Sequence, residues 1–191
     1  MREAQRQQTH TRVLAAAEAL FQRDGYADTT IRGIAAAAEV STGTVVSVGE
    51  KPALLVASFD RHIAGIHQQR HTRTPGPSED LAEEITGLLS PFISLFTDQP
   101  GLSRTYAAIL VAGEHRSTVF TDLADALIGE IVETLELAGV PDPEPLARTL
   151  YFAYLGRLFT WPAASDDDPD ALVRSLRELI QSVCQRTEQR S

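Results

Sequence analysis

The residues best suited to chemistry form a short run, Ser41–Ser47 (STGTVVS), that is small, rich in hydroxyl groups and uncharged. Hydroxyl groups and the backbone N–H groups of a helix start can hydrogen-bond to phosphate oxygens, and a glycine lets a large ligand approach the backbone closely. Ser41 is also a favoured helix N-cap, so capping, ligand contact or both remain open for it. The run predicts a helix whose first turn can contact a nucleic-acid backbone.

Charge is divided unevenly along this chain of 191 residues, whose formal net charge is −9. Residues 1–73 carry nine Lys or Arg against seven Asp or Glu, whereas the rest carries eight against nineteen. This asymmetry is typical of a chain that approaches phosphate with one end, although a mildly acidic protein with one neutral end has the same composition. Arg2, Arg6 and Arg12 are expected to form either an arm that reaches DNA or a mobile tail.

Helices predicted on either side of the run explain how it would be presented. Apolar residues at helical spacing predict an amphipathic helix over 8–23, and further helices over 31–38 and 42–48 are separated by a tight turn at Glu39 and Val40. Two short helices joined by such a turn and packed on a preceding helix form a helix-turn-helix. The second helix of this motif enters the major groove of DNA.

The remaining sequence predicts only helices, so the fold class is all-α, with about nine helices in total. Residues 72–78 (TRTPGPS) predict a linker or loop. We expect two domains, a helix-turn-helix domain over 1–50 and a helical bundle over 51–191. The later helices are predicted over 52–70, 79–98, 102–112, 118–138, 145–161 and 170–186.

Other classes of protein find little support in the sequence. No phosphate-binding glycine loop, metalloprotease motif or nucleophile–histidine set is present, so we expect neither an enzyme nor a cofactor or metal. His67 and His71 are spaced to clamp a metal on one helix face, but more often such residues lie on a solvated helix end. A single cysteine, a polar N-terminus and the lack of a membrane-length apolar run predict a cytoplasmic protein without a membrane partner.

From Thr11 to Asp60 the sequence resembles the TetR family of transcriptional repressors. The family pattern places Leu-Phe, Gly-Tyr, Thr-Thr, Ile-Ala, Val-Ser-x-Gly-Thr, Lys and Leu-Leu in a fixed order. Each piece is common by itself, but their joint order and spacing are specific. The matching residues are Leu20-Phe21, Gly25-Tyr26, Thr29-Thr30, Ile34-Ala35, Val40 to Thr44, Lys51 and Leu54-Leu55.

The resemblance implies a homodimeric repressor that binds a palindromic double-stranded DNA operator and is released by a small-molecule effector. It also implies which residues contact DNA. N-capping remains an alternative for Thr30 and Ser41, and a solvated surface position for Lys51. The implied DNA-contacting residues are Thr30, Arg32, Ser41, Thr42, Gly43, Thr44, Ser47 and Lys51.

Three departures from the family pattern bear on DNA binding. Glu39 stands where the family usually has glycine, which predicts strain if the backbone is left-handed there. The positions of a phosphate-contacting tyrosine and an aromatic pair read Val46–Gly49, and one residue is missing before Lys51. These changes leave an alternative open, a helical ligand- or partner-binding protein with weakened or lost DNA recognition.

The second half of the chain carries no motif beyond amphipathic helices. For any aromatic residue there, core packing is an alternative to ligand contact. Arg104, Arg116, Arg157 and His115 are candidates to hold an anionic group. The expected effector pocket comprises Phe92, Tyr106, His115, Tyr151 and Tyr154. The expected dimer interface, for which packing within one subunit would give the same pattern, comprises Leu155, Leu158, Phe159, Leu172, Leu176, Leu179, Ile180 and Val183.

Overall fold

A computed structural model describes residues 2–70, 80–115, 117, 122–161 and 168–188, with the side chains of Arg70 and of 184–188 left out. Within these ranges the chain forms nine α-helices and no strand, which confirms the predicted all-α fold. The predicted linker at 72–78, His71 and Arg116 lie outside the described residues. The helices are α1 (Arg2–Asp28), α2 (Ile31–Ala37), α3 (Thr42–Val48), α4 (Lys51–Arg70), α5 (Leu81–Thr97), α6 (Pro100–Ala112), α7 (Asp122–Leu137), α8 (Pro143–Thr160) and α9 (Pro169–Glu188).

The chain divides into two compact units, and the division falls inside α4. Unit 1 contains the residues through His62 together with Gly101–Ser117, and unit 2 contains Ile63–Pro100 and the residues from 118 onward. The domain boundary expected after residue 50 stays a prediction, while this division falls later because the first half of α4 packs in unit 1. There the ring of Phe59 stacks on that of Tyr106 with centroids 4.3 Å apart.

Helix α1 begins earlier than predicted, at Arg2, so the expected N-terminal arm is instead the first turns of a helix. The buried stripe of α1, which includes Val13, Ala17 and Phe21, faces the core of unit 1 as the spacing predicted. The Arg12 guanidinium donates hydrogen bonds to the carbonyl oxygens of Ala38 and Glu39. Arg12 thus has a structural role, because it satisfies carbonyls at the end of α2 that have no partner within the helix.

Unit 2 is built from the second half of α4 with α5, α7, α8 and α9. Its core contains most of the stripe that was expected to form a dimer interface, and that expectation stays a prediction. Helical periodicity marks an apolar face without saying what covers it, and here the same chain covers most of that face. Phe159, Leu179 and Val183 remain partly exposed. The residues already buried within their own chain are Leu155, Leu158, Leu172, Leu176 and Ile180.

Candidate nucleic-acid interface and ligand cavity

Helices α2 and α3 form a capped helix-turn-helix. The Oγ1 atom of Thr30 accepts a hydrogen bond from the N–H of Gly33 at 3.0 Å, and the Oγ atom of Ser41 accepts one from the N–H of Thr44 at 3.0 Å. The capping that the sequence left open for both residues is therefore present. Since each cap satisfies an amide of the first turn, both helices start at a defined residue.

One side of helix α3 is buried and the other side is exposed to solvent. Val45 is fully buried, and Thr44 is half-buried beside it. Thr42, Gly43 and Ser47 are exposed together with Val46, so the outward face is small, mostly polar and uncharged. Such a face can approach a DNA groove without bulky side chains in the way.

The hydroxyl groups at α3 differ in whether they already make hydrogen bonds within the chain. The hydroxyls of Ser41 and Thr44 lie 2.8 Å apart, and the Ser47 hydroxyl donates to the Thr44 carbonyl at 2.7 Å. Within the described part of the chain, the exposed Thr42 hydroxyl makes no hydrogen bond. Thr42 and the leading amides of the helix are thus the groups most available to a phosphate.

The two glycines of this region serve different purposes. A Cβ atom on Gly43 would meet only the Ser41 Oγ, at 3.7 Å, so the fold does not require glycine there. A Cβ on Gly49 would lie 3.2 Å from the Cβ of Ala53 and 3.6 Å from Leu54. Because these are atoms of a neighbouring helical turn, Gly49 allows the two-residue connection between α3 and α4. This close approach accounts for the departure from the family pattern at that position.

Lys51 has partners within its own chain. Its Nζ atom lies 4.3 Å from the centroid of the Tyr26 ring and donates to the Ala27 carbonyl at 3.2 Å. Partial burial raises the pKa of Tyr26, which keeps this ring an uncharged phenol. Lys51 therefore links the start of α4 to the end of α1.

Charge around α3 is mixed. Arg32 is exposed on α2, whereas the acidic side chains of Glu39 and Glu50 are exposed on either side of α3. Glu39 has a φ of 53°, so the left-handed backbone anticipated from the family pattern is present at a residue with a Cβ. The negative charge of Glu39 and Glu50 opposes the use of this face for DNA.

We expect Glu39→Gly to stabilise the protein by about 0.5–1 kcal/mol, because relief of left-handed strain exceeds the entropy that glycine adds to the unfolded chain. Glu39→Ala removes the same charge but keeps the strain, so it should not stabilise. Urea unfolding of both variants makes the comparison. Equal stability of the two variants would mean that conformation is not the cause.

A cavity lies entirely within unit 2. The space open to the centre of a water molecule is about 20 Å³, room for about one water, so a larger ligand requires the surrounding helices to move apart. The walls come from α4, α5, α7 and α8 and are mostly apolar. The lining residues are Ile63, His67, Phe92, Phe96, Leu123, Leu127, Tyr151, Tyr154, Leu155, Leu158 and Phe159.

Three of the predicted effector-pocket residues, Phe92, Tyr151 and Tyr154, line this cavity. Burial and the nearby charge of Asp125 raise the pKa of Tyr151 to about 12, so its hydroxyl stays protonated at neutral pH. Tyr106 does not belong to the cavity. It is fully buried in unit 1, where its hydroxyl donates to Asp60 at 3.4 Å.

The candidates for an anion site also lie elsewhere. His115 and Arg104 belong to unit 1, and Arg157, outside the lining, donates to the Ser175 hydroxyl at 2.7 Å. Sequence reasoning placed them near a ligand because their types suit one, but helix spacing gave no information on which unit would contain α6.

Sequence reasoning missed His67, which was expected on a solvated helix end. Its side chain is 6% exposed, and its Nδ1 lies 2.9 Å from the Oε1 of Glu130. Its ring centroid lies 4.9 Å from that of Phe92. The signal was present in the sequence, since His67 follows Ile63 by four residues and so shares its buried face.

The described ranges contain no group of three or more His, Cys, Asp or Glu side chains placed to hold a metal ion. Within the same ranges, no helix is long and apolar enough to span a membrane.

Part of the sequence matches a known protein family. Residues 13–46 match the profile of bacterial regulatory proteins of the tetR family. No curated protein matches the sequence.

Among solved structures, Thermus thermophilus FadR, a TetR-family repressor in complex with lauroyl-CoA, has a TM-score of 0.71 at 22% identity, over 92% of this chain and 93% of that one. A TetR regulator from Rhodococcus sp. RHA1 has a TM-score of 0.64 at 18% identity, over 92% and 94%. The multidrug-binding protein EbrR in complex with ethidium has a TM-score of 0.62 at 18% identity, over 92% and 98%. These likenesses establish the shared fold.

Proposed function

We propose that this chain is a ligand-responsive transcriptional repressor of the tetR family, because residues 13–46 match the profile of that family and the fold is shared with a TetR-family repressor. It binds a palindromic operator as a homodimer in the cytoplasm and leaves the operator when a small molecule binds unit 2. The observation that carries the proposal is the outward face of α3, where Thr42 and Gly43 are exposed at the start of a capped helix.

In the proposed complex the first turn of α3 enters the major groove. The Thr42 hydroxyl donates a hydrogen bond to a phosphate or a base edge, and Gly43 allows the helix backbone to come close to the DNA. The hydroxyl groups of Thr44 and Ser47 make hydrogen bonds within the helix, and their remaining lone pairs can accept hydrogen bonds from DNA. Arg32 contributes positive charge from α2. Thr30 and Ser41 act mainly as caps, and Lys51 reaches a phosphate only by leaving its contacts with Tyr26 and Ala27.

Ligand response follows from the continuity of α4. This helix contributes Leu54, Leu55 and Phe59 to the core of unit 1, and Ile63 and His67 to the cavity wall of unit 2. A ligand larger than the cavity displaces the second half of α4, and a helix transmits that displacement to its first half. The ligand releases DNA if it binds the displaced arrangement more tightly, since only differential affinity shifts the equilibrium. The complexes of FadR with lauroyl-CoA and of EbrR with ethidium support a ligand-binding role.

Dimerisation in this proposal uses the outer face of α8. Phe152 is 64% exposed there, and Gly156 lies one turn further along the same exposed face. A large apolar side chain beside a glycine is suited to close packing against a twofold-related helix. The partly exposed Leu179 and Val183 of α9 extend the same kind of surface.

A footprint on the DNA upstream of the gene that encodes this chain tests the proposal. We expect protection of a palindromic site, with half-sites about one helical turn apart, and loss of binding as salt rises because phosphate contacts release counterions. A gel shift at several salt concentrations gives the slope.

The same experiment tests the alternative of a ligand- or partner-binding protein without DNA recognition. That alternative is favoured by Val46, which is 52% exposed at the position of the family's phosphate-contacting tyrosine. If no site is protected at low salt, and none is recovered by selection from genomic fragments, the repressor proposal is wrong.

A further inference from the structure

We infer that the effector of unit 2 is an uncharged, largely aromatic molecule with one hydrogen-bond donor, and that this donor binds the Nε2 atom of His67. The inference rests on the proposed ligand-responsive function and specifies its ligand class. It starts from a buried imidazole in an otherwise almost wholly apolar wall.

The contact with Glu130 decides which nitrogen of His67 faces a ligand. The Glu130 carboxylate accepts a hydrogen bond from the Nδ1 atom at 2.9 Å, so Nδ1 carries the proton in the neutral ring. Nε2 is then a hydrogen-bond acceptor, and within the described residues it has no hydrogen-bond partner. Because the cavity wall around His67 is mostly apolar, a ligand that supplies an O–H or N–H group to this acceptor gains a hydrogen bond there.

The other walls of the cavity specify the body of the ligand. Phe92, Phe96 and Phe159 supply aromatic surface, and the ring of His67 packs against Phe92. Flat apolar ligands fit such walls better than flexible polar ones, since ring edges and faces pack favourably together.

Charge near the cavity disfavours an anion. No Lys or Arg belongs to the described lining, whereas Glu130 lies behind His67 and the charge of Asp125 reaches Tyr151. An anionic group would be desolvated near two carboxylates, and the described lining contains no Lys or Arg to balance it. The candidate residues for an anion site, including Arg157 and His115, lie outside this lining.

Three naphthalene probes of similar size test the inference by isothermal titration with the full chain. They are 2-naphthol, which has a donor, 2-methoxynaphthalene, which has none, and 2-naphthoate, which is an anion. We expect 2-naphthol to bind about tenfold more tightly than 2-methoxynaphthalene, and 2-naphthoate to bind most weakly.

Two variants link this preference to His67. In His67→Leu the naphthol and methoxynaphthalene affinities should become equal, because the acceptor is lost while the apolar wall remains. Leu137→Ala, at an exposed position outside the lining, should keep the tenfold preference.

Equal binding of naphthol and methoxynaphthalene by the unaltered protein would overturn the inference, as would tighter binding of naphthoate. Failure of 2-naphthol to bind at its solubility limit would do the same. These titrations contain no DNA, so their failure is separate from failure of the footprint, which tests the repressor proposal itself.

Discussion

Gly43→Leu should abolish specific operator binding while the protein stays folded. The structure leaves open space around Gly43, so a leucine there does not disturb the packing of α3. In the proposed complex, however, the same side chain stands between the helix and the groove. Affinity should fall to the nonspecific level, about 1,000-fold, as measured by gel shift on the protected site. The free energy of unfolding should not decrease, since leucine favours a helix more than glycine does.

Gly87→Leu is the matched control for this change. Gly87 is also exposed in a helix, with no atom within 4 Å of an added Cβ, but it lies on α5 in unit 2. It should gain similar helix stability and keep full operator affinity. If Gly43→Leu binds the operator as tightly as this control, α3 does not lie in the groove.

The helix-turn-helix was predictable from sequence because its determinants are local. The residues that start α2 and α3, Thr30 and Ser41, are caps that act within three residues, and α3 was predicted with its observed ends. The left-handed backbone at Glu39 was likewise anticipated, since the family pattern has glycine there. Such features depend on neighbours in the chain, which the sequence shows directly.

The cavity was only partly predictable because its composition depends on contacts between distant segments. Phe92, Tyr151 and Tyr154 line it, whereas Tyr106 packs in unit 1 with Phe59. Nothing local to Tyr106 indicates that α6, which lies between two helices of unit 2 in sequence, packs in unit 1. The burial of His67 could be predicted from its spacing to Ile63, but its partner Glu130, 63 positions away, could not.

The proposed dimer surface was also only partly predictable from sequence. Helical periodicity located apolar faces on α8 and α9, but the strongest stripe, which includes Leu172 and Leu176, is covered by the chain's own helices. In the proposed dimer, the surface that contacts the second chain is marked instead by an exposed residue outside that stripe, Phe152. An exposed large aromatic residue can be recognised only when burial is known.

Phe152→Arg should therefore convert the proposed homodimer to a monomer without unfolding it. Placing a charge at the centre of a twofold interface affects both copies at once, and loss of such an aromatic residue should weaken self-association at least about 100-fold. Analytical ultracentrifugation measures the change. Operator affinity should fall in parallel, because one chain reaches only one half-site.

Two comparison variants separate interface from core. Leu137→Arg introduces the same charge at another exposed apolar residue, 70% accessible at the end of α7, and should leave the dimer intact. Leu176→Ala should lower the free energy of unfolding by about 2–5 kcal/mol, because it opens a cavity in the core of unit 2. If Phe152→Arg sediments as the unaltered protein does, the outer face of α8 is not the contact between subunits. If Leu176→Ala instead dissociates a folded dimer, the stripe predicted from sequence contributes to that contact.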